Sequence, residues 1–106
     1  MVQVINIAEV SRWRSYGYHV VIVARPSRLG NPFKIGRDGS RDVVIEKYHQ
    51  WLRKQYAKRN RVYKDLLCLA ARVLSGEPVA LACYCSPQRC HADIIKLAVE
   101  KIATSA

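Results

Sequence analysis

Acidic residues are scarce in this chain: eight Asp and Glu stand against eighteen Lys and Arg, a formal net charge of +10. That imbalance turns the expectation toward an anionic partner, whether nucleic acid, nucleotide or another phosphate. A well-solvated basic surface has the same composition. Long apolar runs are missing too. Val20 to Ala24, like every other apolar run in the chain, falls far short of the ~20 residues a membrane-spanning helix needs, so no membrane partner is expected. No stretch reads as a secretory leader, and there is no internal repeat, low-complexity tract or linker. Neither a Walker loop nor a GxGxxG fingerprint occurs, which argues against the common nucleotide-binding folds. What remains is a single domain over residues 1–106, half of it apolar, enough to bury a core unaided. The expectation is a cytoplasmic protein. There, four cysteines stay thiols or bind metal more often than they form a disulfide framework.

Periodicity organises what is present. "VQVINI" reads as a short strand and "HVVIVAR" as a strand buried on both faces. "SRWRSYGY" between them, with Gly17 as its turn signal, reads as a break too short for a parallel crossover. An antiparallel pair is therefore expected. A long loop, "RPSRLGNPFKIGRDGSR", follows. Ser40 then caps a helix whose apolar face holds Val44, Ile45, Tyr48, Trp51, Leu52 and Tyr56. Tyr48 and Trp51 are expected to be buried. A second helix from about Val62 to Leu74 buries Leu66, Leu69, Ala70 and Val73, and closes at Ser75-Gly76. Cys68, alone on that helix, is expected in the core. "PVALACYC" is the third strand. Ser86-Pro87 reads as an N-cap followed by proline at the first helical position. The last helix then runs from Pro87 to about Ala103 with Ile94, Leu97, Ala98 and Ile102 inward. The predicted fold is a small α/β domain. A mixed, mostly parallel sheet of about three to four strands is covered by three helices.

Three of the four cysteines fall in "CYCSPQRCHAD", where a strand end and a helix start converge. Cys83 and Cys85 are two apart in extended chain and leave one face. Three readings fit. Cys83, Cys85, Cys90 and His91 are ligand types that zinc prefers, although adjacent helical residues such as Cys90 and His91 point about 100° apart. Alternatively, Cys90 beside Arg89 and His91, or Cys85 before the cap, is an activated thiolate at a helix N-terminus. The third reading is plain packing of small apolar side chains. The loop after the second strand adds a separate feature. It holds Arg25, Ser27 and Arg28, then the turn Gly30-Asn31-Pro32. Placed at the carboxyl end of a strand beside a helix start, such a loop suits a phosphate.

"RPSRLGNPF", "YHQWL" and "LACYCSPQRCHAD" together resemble a family of small bacterial and phage proteins catalogued as domain of unknown function 4326. The resemblance runs from about Val20 to Leu97. The family commonly has Gly at the position of Ala24 and often Trp at that of Tyr84. The resemblance implies a shared site built from Arg25, Leu29 to Phe33, Cys83, Cys85, Cys90, His91 and Asp93, and it brings no established activity.

The leading expectation is a pocket for a nucleotide or other phosphate-bearing ligand. Arg25, Ser27, Arg28, Gly30, Asn31, Cys85 and Ser86 would hold it, with amides from Gln88 to His91 helping at the helix start. Cys90, His91 and Asp93 would carry any acid–base or nucleophilic step. A basic nucleic-acid-binding module is the alternative, from "RKQYAKRNRVYK". In it Arg53, Lys54, Lys58, Arg59, Arg61 and Lys64 interleave with Tyr56 and Tyr63. A structural zinc at the cysteine motif is the third.

Overall fold

The structure, a computed structural model, describes residues 2–105. The chain runs β1 (Val2–Asn6), a 3-10 turn (Ile7–Glu9), α1 (Val10–Ser15), β2 (His19–Ile22), α2 (Arg41–Lys58), α3 (Arg61–Leu74), β3 (Val79–Cys83) and α4 (His91–Ser105). The three strands form one sheet in the order β1-β3-β2. Both pairings are parallel, with Val2 opposite Val79 and His19 also opposite Val79.

Parallel pairing throughout corrects the expected antiparallel pair. β1 and β2 are not neighbours at all. β3 lies between them, and the connection between β1 and β2 is a crossover rather than a hairpin. The segment read as a break carries a helix, α1, and ends at Gly17, whose φ of 90° suits a residue without Cβ. A helix this short suffices because it only has to pass over one intervening strand. Its bed is made low by alanine. Ala80 and Ala82 point to this face, and Val10, Trp13 and Tyr18 pack on them with Ile5.

The opposite face carries the main core. β3 is buried at every position because its other side chains, Val79, Leu81 and Cys83, face α2, α3 and α4. Among the described residues the α-helices are thus four and not three, with three on one face and α1 on the other. α2 begins where Ser40 accepts from the Val43 amide, and it buries Val44, Ile45, Tyr48 and Leu52. Trp51 is only half-buried and Tyr56 is 41% exposed, so the apolar stripe of α2 is narrower than its spacing implies. Asn60 caps α3, which buries Val62, Leu66, Leu69, Ala70 and Val73. Cys68 lies on the exposed side of that helix and not in the core. On α4 the buried side chains are Ala92, Ile94, Ile95, Val99 and Ala103, while Leu97 is 64% exposed. Ile94 is inward as expected and Ala98 and Ile102 pack on the edge of the core, so the correction falls on Leu97, whose place is taken by Ile95 and Val99; the helix itself begins at His91 and not at Pro87.

Tyr48 sits at the centre of this packing. It has no exposed surface, and its hydroxyl donates to the Leu29 carbonyl at 2.7 Å. Burial raises the phenol far above its ordinary value, so the hydroxyl stays a donor. Tyr48→Phe keeps the ring but leaves a buried carbonyl unpaired. The expected cost is about 1–3 kcal/mol, read as a lower urea midpoint at unchanged slope. An unchanged midpoint would show that the Leu29 carbonyl finds another donor.

Candidate functional site

The carboxyl ends of β2 and β3 lie side by side because the strands are parallel. Ala24 and Arg25 follow one end, and Cys83 to Cys85 form the other. Between them opens a cavity of about 440 Å³, walled also by Asn31 to Ile35 and by the first turns of α2 and α4. Arg25, Cys85, Cys90 and His91 all line it. Ligand sites of open α/β sheets occur at this kind of place.

The loop wall is held at several points although it has no regular structure. Leu29 is buried in the core. Gly30 stands so close to the backbone of Arg25 and Ser27 that a Cβ would meet it at 3.0 Å; here the missing side chain is what lets the turn close. Asn31 accepts from the Phe33 amide at 2.9 Å and directs Phe33 to the cavity. Ser27 accepts from the Leu29 amide. Arg28 reaches the other way, making a two-pronged pair with Asp65 on α3 at 2.9 and 3.0 Å. Ser27, Arg28 and Gly30 therefore build the wall, while Arg25 and Asn31, with Phe33, face the cavity.

The opposite wall differs more from expectation. Ser86-Pro87 does not start a helix. It lies in a turn where the Gln88 amide donates to the Cys85 carbonyl at 2.7 Å. The Ser86 carbonyl accepts from Asn6 at 2.9 Å, across from the end of β1. α4 begins after Cys90, whose amide donates to the Asp93 carboxylate at 2.9 Å. An acid three residues past the cap satisfies a free amide at the helix start and lies well in its dipole. Asp93 is thus a cap, and the amides of Gln88 and Cys90 are engaged within the protein. The helix start cannot offer them to a phosphate.

His91 is buried, with its Nε2 2.7 Å from the Val23 carbonyl. A carbonyl only accepts, so Nε2 carries the proton. Burial first, and then the Arg25 charge, holds the imidazole below its ordinary value of 6.5. It is a neutral tie between α4 and β2. Tyr48 packs edge-on against it at 5.1 Å.

At the cavity floor Cys83 Sγ and Cys90 Sγ are 3.0 Å apart, and all four cysteines are free. Either sulfur can donate in this contact; the bond between them, with support from the Ser86 and Cys85 amides, draws the Cys83 thiol below its ordinary value. Cys90 is pushed up by its neighbour and by burial. The two sulfurs share one proton more readily than two, so the pair as a unit has thiolate character, and Cys83 joins Cys90 in it although its neighbours in sequence give no such signal. Of the four residues expected to hold zinc, His91 has its Nε2 turned to the Val23 carbonyl, while Cys83, Cys85 and Cys90 line the cavity. The imidazole is tied to Val23, and among the described residues no group of three or more His, Cys, Asp or Glu is placed to hold a metal.

Several cavity residues escaped the sequence reading: Lys34, Ile35, Arg41 and the exposed Tyr84. Arg41, at the start of α2, donates to the Arg89 carbonyl and the Gln88 side chain at 3.1 and 2.8 Å. Its only signal was a cation directly after a cap residue, opposite a motif no local pattern could place nearby. The basic stretch lies elsewhere. Arg53, Lys54, Lys58, Arg59, Arg61 and Lys64 are exposed at the far end of α2 and the start of α3. Lys58 is about 25 Å along the helix from Arg41 at 1.5 Å per residue. Tyr56 and Tyr63 pack edge-on to one another, and Arg59 covers Tyr63, so these rings are engaged with protein groups.

A small parallel α/β domain with a cation-rimmed, thiol-floored cavity at its strand ends is the class that fold and site define. The chain belongs to the family described as Domain of unknown function (DUF4326), whose model matches residues 5–101. Neither a curated protein nor a solved structure matches the chain. No helix among the described residues is long and apolar enough to cross a membrane.

The lowered His91 value has a signed consequence. Above pH 6.5 the ring is neutral in both folded and unfolded chains. As pH falls below 6.5 the unfolded chain takes up the proton first, so stability falls with pH until the folded value is reached. His91→Gln, which keeps a donor for Val23, should flatten this limb in denaturant titrations between pH 6.5 and 5. An equally steep limb in the variant would remove His91 as its source.

Proposed function

We propose that the cavity binds a small anionic ligand, a nucleotide or other phosphate-bearing compound. One observation carries the reading: three cations, Arg25, Lys34 and Arg41, line the cavity, and among the described residues lining it there is no carboxylate. Three positive groups converging on one concave space repel each other unless an anion joins them. In a chain of net charge +10 the surrounding field favours the same ligand.

Each cation has a defined role. Arg25 donates one N–H to the Asn31 carbonyl at 3.1 Å. That bond aims the guanidinium and leaves donors for the fork that phosphate oxygens prefer. Arg41 is braced by the 88–89 segment, and Lys34 adds a mobile charge. Phe33, Ile35 and Tyr84 give the mouth an apolar and aromatic character, suited to a base or other ring beside the phosphate. The anion is held by side chains, since Asp93 already caps the last helix. The paired thiols of Cys83 and Cys90 are the nucleophilic feature at the floor, should the bound ligand be acted on.

Calorimetric titration with a panel of nucleoside phosphates and inorganic phosphate tests this. Arg25→Ala should weaken binding of the best ligand by about 1.5–3 kcal/mol without moving the melting temperature. A panel in which nothing binds, or binding indifferent to Arg25, would overturn the reading.

A further inference from the structure

We propose that Cys83 and Cys90 close reversibly into a disulfide, making the cavity floor an oxidation site for a small hydroperoxide. The two sulfurs are 3.0 Å apart, so roughly 1 Å of approach would bring them to bonding distance. They belong to different elements, and each is fixed at its backbone. Cys83 is in register with Asn6 at the end of β3. Cys90 is held by the Asp93 carboxylate on its amide.

Access and selectivity follow from the same geometry. Each thiol has almost no exposed surface, at 1% and 3%, yet both face the cavity. A molecule the size of hydrogen peroxide can enter a space of about 440 Å³. Cys68 is exposed on α3, on an element that contributes nothing to the cavity wall. Cys85 lines the wall but makes no contact with another sulfur like that joining the pair.

The electron balance needs one peroxide. One sulfur of the pair, as thiolate, attacks a peroxide oxygen, the O–O bond breaks, and hydroxide leaves and takes up the proton that sulfur gave up. The sulfenic acid so formed is attacked by the partner sulfur. The S–O bond breaks as the S–S bond forms, and the oxygen departs as a second water with the partner's proton. Two thiols lose two electrons and two protons, and one peroxide becomes two waters. A dithiol reductant reverses the bond by exchange.

The full chain, fully reduced, is exposed to hydrogen peroxide and then quenched with alkylating agent in denaturant. Four alkylated cysteines before exposure should become two, with an intact mass lower by two hydrogens before alkylation. Peptide mapping should join the Cys83 and Cys90 peptides, and dithiothreitol should restore four thiols. Cys85→Ser and Cys68→Ser should oxidise as the parent does, whereas Cys83→Ser and Cys90→Ser should not form the link. Three results would overturn the proposal: four thiols surviving peroxide, a link that includes Cys85 or Cys68, or oxygen added at Cys83 or Cys90 with no link. The mapping on the unaltered chain decides the matter even if a serine variant fails to fold. None of these outcomes depends on what the cavity binds.

Discussion

An imidazole that has left water must bond to something, and for His91 that something is the Val23 carbonyl. Val23 also donates its amide to Ala82 of β3 at 2.9 Å. One peptide segment at the end of β2 is therefore clamped from one side by the central strand and from the other by α4. Tyr48 of α2 packs on the ring and pins the Leu29 carbonyl of the loop. Two strands, two helices and a loop thus meet within a few hydrogen bonds. Water is excluded there, so each bond is stronger than at the surface and each loss costlier. The cavity lies immediately outside this cluster, and its shape is set by it.

The loop stretch and the cysteine-rich stretch of the sequence divide their labour accordingly. In LGNPF, Leu29 enters the core, Gly30 permits the turn, Asn31 shapes it and Phe33 reaches the cavity. In the cysteine motif, His91 and Asp93 hold the last helix while Cys83, Cys85 and Cys90 face inward. Cationic rim residues come from three places in the chain, and only Arg25 of them belongs to the residues the motifs mark.

Local signals were readable where local physics decides. Ser40 caps α2, α3 turns its predicted stripe inward, and Ser75-Gly76 ends it. The α/β class and the shared cavity of Arg25 with the cysteine motif followed from the same order of elements. What was not readable depends on distant partners. Strand direction turned on whether β3, some sixty residues later, would slip between β1 and β2. The start of α4 turned on a competition between two local signals, Ser86-Pro87 and the cap that Asp93 gives Cys90; the second prevailed, with Asn6 holding Ser86 from another strand. Cys68 shows the limit of reading residue type alone: its helix was right and its side was wrong. Pairing of Cys83 with Cys90 bridges a turn whose shape no spacing rule specifies.

The sheet separates the two tryptophans. Trp13 lies on the alanine-floored face, wedged edge-on against Tyr18 at 4.8 Å, with its indole N–H buried and unpartnered. Trp51 lies on the other face, 5.4 Å from Tyr48, which in turn touches His91. The molecule thus carries two built-in optical probes, one for each layer. Emission from Trp51 senses the cavity wall through a single intervening ring, while Trp13, shielded behind three strands, supplies an internal reference from the same polypeptide.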